Sequence, residues 1–223
     1  MTFAALSRLT DIVSRWDRTL FHLVNDQSRN VVFDWLLPAL SDKWNFAIPA
    51  VLLLLWLTLK AGRRGRLLAV GAILLVLLTD AGAQLAKNLI QRPRPCHTLE
   101  AVHLLLACTS SPSFPSNHAA NIFALVTLFV YTYRYLLLPA YTLAVLVGYS
   151  RIYVGVHYPL DVLAGAMWGS LLAALMIVGS RRVPLLSLET EGEPGTPERK
   201  GVTDGDTGTD PPDHPVPRGR VSV

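Results

Sequence analysis

The chain has 223 residues, of which 51% are hydrophobic and only 16% are charged, and its mean hydropathy is +0.37. This balance is more apolar than that of a typical soluble domain, so the composition argues against a soluble globular protein. The formal net charge of +4 suits contact with anionic lipid, although basic loops at a membrane surface account for most of it. We therefore expect an integral membrane protein in contact with the lipid bilayer, without a nucleic-acid partner.

The first 44 residues form a segment of mixed character. Apolar residues recur at helical spacing in LSRLTDIVSRWDRTLFHLV, with arginines at other positions, which is typical of an amphipathic helix in the membrane interface. A membrane span over residues 20–40 is the alternative, but the polar run NDQSRN interrupts it. The pattern predicts an interfacial or partly spanning segment over residues 1–44 that is not removed as a signal peptide.

Five apolar runs follow, each near the lower length limit for a membrane-spanning helix. They cover residues 45–60, 67–86, 119–134, 135–150 and 160–179. Together with the N-terminal segment, they predict an all-α, polytopic membrane bundle of about six helices. The membrane core should extend over residues 45–183.

Basic residues in alternate loops predict the orientation. They are Lys60, Arg63, Arg64, Arg66, Arg134, Arg181 and Arg182. Since basic short loops favour the cytoplasm, these loops should face inward in a plasma or inner membrane. Residues 184–223 are rich in Glu, Asp, Pro, Gly and Thr without apolar periodicity, so we expect a disordered acidic tail on the cytoplasmic side.

Three polar clusters interrupt the apolar sequence near the opposite, extracytoplasmic ends of the predicted spans. They are Lys87 with Arg94 and Pro95, then Pro115-Ser116-Asn117-His118, then Ser150-Arg151 followed by His157 and Asp161. Cations, histidines and a carboxylate are what a metal-free enzyme needs to hold a phosphoryl group, attack it and protonate the leaving group. The clusters predict a membrane-embedded phosphatase that uses no metal or other cofactor.

The cations are expected to bind the phosphate oxygens. An arginine grips two oxygens at once and a lysine acts as a point charge, so Lys87, Arg94 and Arg151 suit a tetrahedral anion. Arg92 either joins them or contacts lipid headgroups. Asp80, inside a predicted span, either tunes Lys87 through Gln84 or faces the polar groups of another helix.

The second and third clusters predict two helix starts. Ser116 precedes an apolar run and suits a helix cap, which would aim free backbone amides and His118 at the phosphate. Pro159 suits the first position of the next helix, which puts Asp161 in its first turn within reach of His157. A carboxylate on one ring nitrogen leaves the other free to attack phosphorus. Without the other clusters, Ser116 would be only a cap and His118 an ordinary interfacial histidine.

Two cysteines lie in the loop between the first and second clusters, on the predicted oxidising side. A disulfide between Cys96 and Cys108 would stabilise that loop by roughly 3 kcal/mol. The alternative is two unpaired small residues.

The pattern KxxxxxxRP, the PSxH cluster and SRxxxxxHxxxD resemble the phosphatidic acid phosphatase type 2 superfamily of membrane lipid phosphatases. The resemblance covers roughly residues 45–179 and implies a metal-independent reaction through a phosphohistidine. It implies that His157 is the nucleophile, Asp161 its partner and His118 the acid. The implied phosphate-binding residues are Lys87, Arg94, Arg151, Ser116 and Ser150, with Asn117 where the family usually has glycine. Asparagine tolerates unusual backbone angles and adds a side-chain donor, so we expect activity to survive.

The substrate is expected to be a membrane lipid phosphate. Short members of this superfamily with outward-facing sites often resemble undecaprenyl diphosphate phosphatases, which makes undecaprenyl diphosphate the first choice. A lipid A 1-phosphatase and a phosphatidylglycerophosphate phosphatase are the alternatives. A non-catalytic module that binds or transports anionic lipids is the alternative of another class, and the sequence leaves the oligomeric state open.

Overall fold

The computed structural model describes residues 3–182, which form helices joined by loops and contain no strand. The α-helices are α1 (Phe3–His22), α2 (Val31–Ser41), α3 (Lys43–Leu59), α4 (Gly62–Ile90), α5 (Pro95–Thr98), α6 (Asn117–Thr132), α7 (Leu137–Tyr153) and α8 (Pro159–Arg181). The predicted all-α membrane bundle is confirmed. The predicted tail, residues 184–223, lies outside the described residues.

Local sequence fixes where the main helices begin. The side chains of Asn30 and Asp42 accept hydrogen bonds from backbone N–H groups in the first turns of α2 and α3, at 2.9 and 3.0 Å. Ser116 caps α6 in the same way, and Pro159 is the first residue of α8. Both helix starts predicted from the polar clusters are therefore present. A helix start leaves backbone N–H groups unpaired; Ser116 accepts one of them, and Pro159 has no N–H to leave unpaired.

Three helical segments are long and apolar enough to cross a membrane, over residues 62–98, 134–153 and 159–181. Helices α2 and α3 meet at 52° and make a fourth candidate if the pair counts as one broken span. Helix α6 has 16 residues and is therefore about 24 Å long, shorter than a typical hydrocarbon core of about 30 Å. The five predicted apolar runs correspond to helices α3, α4, α6, α7 and α8, of which α6 is the shortest.

Helix α6 lies at the centre of the bundle and packs against α4, α7 and α8. Its approach to α8 depends on small residues, because a Cβ atom at Gly169 would lie 1.9 Å from the Ala120 carbonyl oxygen. A Cβ atom at Gly165 would lie 2.4 Å from the Ser116 carbonyl oxygen. These glycines let the second and third turns of α8 pack closely against the start of α6.

Helix α1 turns a polar residue inward and apolar residues outward. Asp17 and Phe21 are buried, whereas Trp16 is 65% exposed. Leu9, Ile12, Val13 and Leu20 are exposed as well. The chain then forms a π-helical turn (Leu23–Gln27) and leaves helical structure before α2, so residues 20–40 are not one continuous span. An interfacial position for α1 agrees with its exposed apolar face and stays a prediction.

The basic residues used to predict orientation lie at the end of the bundle where α6 finishes. Arg64 donates to the Thr132 carbonyl oxygen at 3.1 Å, and Arg181 donates to the Tyr131 hydroxyl at 2.9 Å. The three polar clusters lie at the other end, where α6 begins.

Candidate active site

The three polar clusters meet at one end of the bundle. The backbone N–H of Ser116 donates to the Asp161 carbonyl oxygen at 2.9 Å, which joins the second cluster to the third. The N–H of Ser113 donates to the Arg92 carbonyl oxygen at 2.7 Å, which joins the first cluster to the loop before α6. Segments more than 60 residues apart in sequence therefore form one site.

His157 lies at the centre of this site and is 2% exposed. Its Nε2 atom is 3.2 Å from Nη1 of Arg94. Because a guanidinium group only donates hydrogen bonds, Nε2 accepts and the ring proton sits on Nδ1. Burial lowers the pKa of His157 to about 4, so the ring is neutral at pH 7 and Nε2 carries the free lone pair of a nucleophile.

Asp161 faces the other side of the imidazole ring. Its Oδ2 atom is 3.6 Å from Nδ1 of His157, which is longer than a normal hydrogen bond. The Ser113 hydroxyl donates to the same Oδ2 and lies 3.4 Å from Nδ1. Oδ2 also accepts the Tyr158 N–H at 2.9 Å, and Oδ1 accepts from Arg92 at 2.6 Å. The carboxylate is thus fully buried and held in one orientation opposite the nucleophilic nitrogen.

Three buried cations belong to this site and are held by uncharged acceptors. Lys87 donates to the Pro112 carbonyl oxygen at 2.8 Å. Arg94 donates to the carbonyl oxygens of Ser111 and Val156, at 2.8 and 3.0 Å. Arg151 donates to the Ser41 carbonyl oxygen at 2.9 Å. Within residues 3–182 none of these cations pairs with a carboxylate, so their charges stay available to an anion.

The remaining residues of the predicted phosphate-binding set have partners within the protein. Ser116 is buried at the start of α6, where its hydroxyl faces the Ala119 N–H. Ser150 donates to the Val147 carbonyl oxygen at 2.7 Å and shares a hydrogen bond with Ser41 at 2.8 Å. Ser150 therefore holds α7 against the end of α2, next to Arg151.

His118 lies in the first turn of α6, half-buried, beside a mostly apolar cavity of about 540 Å³. The cavity walls come from α2, α3, α4, α6 and α7, with Lys43, Asp80, Asn117 and Asn121 as its other polar side chains. Arg151 is close enough for its charge to act on the His118 ring. His118 thus lies between the cations and a space with apolar walls.

The family follows from the sequence comparison. Residues 65–183, more than half of the chain, match the model of the PAP2 superfamily. The chain belongs to the PAP2 superfamily. The family resemblance found in the three motifs is confirmed.

Named relatives and a solved structure agree with this assignment. An undecaprenyl-diphosphatase of Sulfolobus acidocaldarius is 31% identical over 57% of this chain and 62% of the relative. The undecaprenyl-diphosphatase BcrC of Bacillus subtilis is 31% identical over 66% of this chain and 72% of the relative. The crystal structure of Aquifex aeolicus LpxE is 28% identical, with a TM-score of 0.60 over 72% of this chain and 93% of that chain. The match thus spans less than two thirds of the archaeal relative.

Asn117, which stands where the superfamily motif usually has glycine, donates its side-chain amide to Asp80 at 2.9 Å. Asn121, one turn later in α6, donates to the same carboxylate oxygen at 3.0 Å. Of the two roles considered for Asp80, the structure shows contact with polar groups of another helix. Gln84 instead bonds Asn88.

Sequence reasoning missed several residues of this PAP2 site. Ser113 is not among the predicted site residues, although it lies two positions before the PSxH cluster. The carbonyl oxygens of Ser111 and Ser41, which hold Arg94 and Arg151, were not predicted either. Asp17, in helix α1, binds Arg92 at 2.5 Å, and Arg92 also pairs with Asp161. Helix α1 holds a second acid, Asp11, so no local signal in the sequence marks Asp17.

The loop between the first two clusters is closed by a disulfide between Cys96 and Cys108, whose Cα atoms are 6.4 Å apart. His97 lies 3.3 Å from the Cys108 sulfur, so these three side chains are also close enough for shared metal ligation. The sulfurs are bonded to each other, however, and thiolates are what a metal would need.

Proposed function

We propose that this protein is a metal-independent membrane lipid phosphatase that works through a phosphohistidine on His157. The observation that carries the proposal is the position of the neutral His157 ring, with its accepting nitrogen against Arg94 and two further buried cations nearby. Cations without carboxylate partners suit a phosphoryl group, whose transfer depends mainly on positioning and charge neutralisation.

The reaction has two steps. Nε2 of His157 attacks phosphorus as the bond from phosphorus to the leaving oxygen breaks. His118 takes up a proton when the anionic phosphate binds beside it, gives that proton to the leaving oxygen and is left neutral. A phosphoryl oxygen takes over the Arg94 donor, while Asp161 stabilises the positive charge that develops on the ring. In the second step His118 removes a proton from water, the water oxygen attacks phosphorus, and the bond to Nε2 breaks. Phosphate leaves, and His157 is neutral again.

Undecaprenyl diphosphate is the substrate we favour. Two relatives named undecaprenyl-diphosphatase support this choice, as does the cavity beside His118, whose apolar walls fit a lipid chain. The basic residues at the far end of the bundle support a site on the extracytoplasmic face of the plasma or inner membrane.

The direct test is phosphate release by the purified protein from undecaprenyl diphosphate, lipid A, phosphatidylglycerophosphate and phosphatidic acid. We expect release that survives a metal chelator and is fastest with undecaprenyl diphosphate. Faster release from lipid A or phosphatidylglycerophosphate would replace the favoured substrate with that lipid. Binding of these lipids without release would favour the non-catalytic module.

Lys43 should distinguish diphosphates from monophosphates. This exposed cation lines the cavity beside His118, where the phosphate that remains on the lipid would lie. A charge-assisted contact contributes about 1.5–3 kcal/mol, so Lys43→Gln should lower kcat/KM for undecaprenyl diphosphate by roughly 10- to 100-fold. Phosphatidic acid, the monophosphate in the same panel, should be hydrolysed with nearly unchanged kcat/KM.

The matched control is Lys60→Gln, because Lys60 is an exposed lysine at the opposite end of α3. Equal losses on diphosphate and monophosphate in Lys43→Gln would mean that Lys43 does not contact the second phosphate.

A further inference from the structure

We propose that Asp17 is a positioning residue for the reaction, acting through Arg92 on Asp161, so that helix α1 contributes to the active site from outside the three motifs. The inference rests on the proposed phosphatase function and extends it. It starts from a buried carboxylate in a helix whose other face is exposed and apolar.

The Asp17 side chain is fully buried and makes two contacts. One oxygen, Oδ2, accepts from Nη2 of Arg92 at 2.5 Å. The other, Oδ1, accepts the backbone N–H of Leu160 at 2.9 Å. Both contacts lead to Asp161, because Arg92 binds Asp161 with its other terminal nitrogen and Leu160 is the residue before it.

Arg92 acts as a bridge between the two carboxylates. Its Nη1 and Nη2 atoms bind Asp161 and Asp17, respectively, and its guanidinium lies over the Tyr158 ring at 4.1 Å. The planar fork of arginine suits such a two-sided contact, which a lysine cannot reproduce. Asp161 is thus fixed by a group that is itself fixed from α1.

The charges indicate what Asp17 adds beyond packing. One guanidinium shared by two carboxylates leaves one negative charge uncompensated beside His157. That charge stabilises the positive ring formed when Nε2 bonds to phosphorus. Without the Asp17 charge, Arg92 would neutralise Asp161 alone, and the reaction step would lose stabilisation that substrate binding does not need.

Asp17→Asn is the first variant to test, because it keeps the shape of the side chain and removes the charge. The substrate is the lipid that wild type hydrolyses fastest. We expect kcat to fall roughly 10- to 100-fold, as for a small misplacement at a reacting centre, with KM changed by less than about threefold. Asp11→Asn, an exposed acid in the same helix, should behave like wild type.

Arg92→Lys provides a second route if Asp17→Asn does not fold. It keeps the charge but reaches only one carboxylate, so it should give a similar loss of kcat at constant KM. The double variant Asp17→Asn with Arg92→Lys should lose no more than the worse single variant, because both act through one contact. Losses that multiply, or a rise in KM at constant kcat, would overturn the inference.

An NMR measurement on the protein without lipid tests the role of Asp17 independently of whether the protein is a phosphatase. The ring ¹⁵N and Nδ1–H signals of His157 report the hydrogen bonding of Nδ1 toward Asp161. We expect them to shift in Asp17→Asn and Arg92→Lys but not in Asp11→Asn. Unchanged signals would overturn the inference, whereas absence of phosphate release by wild type from every lipid would overturn only the proposed function.

Discussion

Replacing His157 with alanine is expected to abolish phosphate release. The substitution removes the nitrogen that faces Arg94 with a free lone pair, and loss of a nucleophile costs on the order of 10⁴-fold or more in kcat. The measurement is single-turnover phosphate release from ³²P-labelled lipid in detergent. Lipid binding should persist in this variant. Lys87, Arg94 and Arg151 are held by backbone carbonyl oxygens, which the substitution of the His157 side chain leaves in place.

The intermediate should be trapped in wild type by rapid quenching. Phosphate on a histidine nitrogen is released by acid and survives alkali, whereas phosphate on a serine oxygen survives acid. We expect acid-labile label on the wild-type protein and none on His157→Ala. The control is His22→Ala, since His22 is exposed on α1. Acid-stable label, or turnover that survives in His157→Ala, would contradict the phosphohistidine route.

The helices and the polar clusters could be predicted from the sequence because both are determined by residues close together in the chain. Apolar runs of 16–20 residues predict helices, and Ser116 and Pro159 mark their starts through backbone chemistry that acts within one turn. The boundaries were less accurate where apolar sequence continues through a break, as at residues 133–136 between α6 and α7.

Long-range partners could not be predicted in the same way. Asp17 binds Arg92 across 75 positions, and nothing local distinguishes it from Asp11, an exposed acid in the same helix. Ser41 similarly reaches Arg151 across 110 positions. Such contacts depend on how the helices pack, and the glycines that set the distance between α6 and α8 carry no polar signal of their own.

Asp161→Asn should cause a second large loss, on the order of 10⁴-fold in kcat, by analogy with the carboxylate of a catalytic triad. Asparagine is similar in size but carries no charge for the ring to face during attack. Its amide nitrogen would also meet donors, because Arg92, Ser113 and the Tyr158 N–H all donate to the carboxylate. The measurement is kcat under saturating lipid, with the thermal midpoint in detergent recorded beside it.

Asp26→Asn serves as its control, because the Asp26 side chain is 56% exposed and pairs with Arg29 one turn away. A loss below about tenfold in Asp161→Asn would mean that the carboxylate only holds the start of α8.

Ser113→Ala separates the serine from the carboxylate that it contacts. The Ser113 hydroxyl lies near Nδ1 of His157 and donates to Asp161, so these three residues resemble a catalytic triad in composition. The nitrogen that faces the cations is nevertheless Nε2, on the opposite side of the ring from Ser113. Ser113 is therefore placed to orient Asp161, and Ser113→Ala should lose only about tenfold. A loss as large as that of His157→Ala would instead make the serine oxygen the nucleophile.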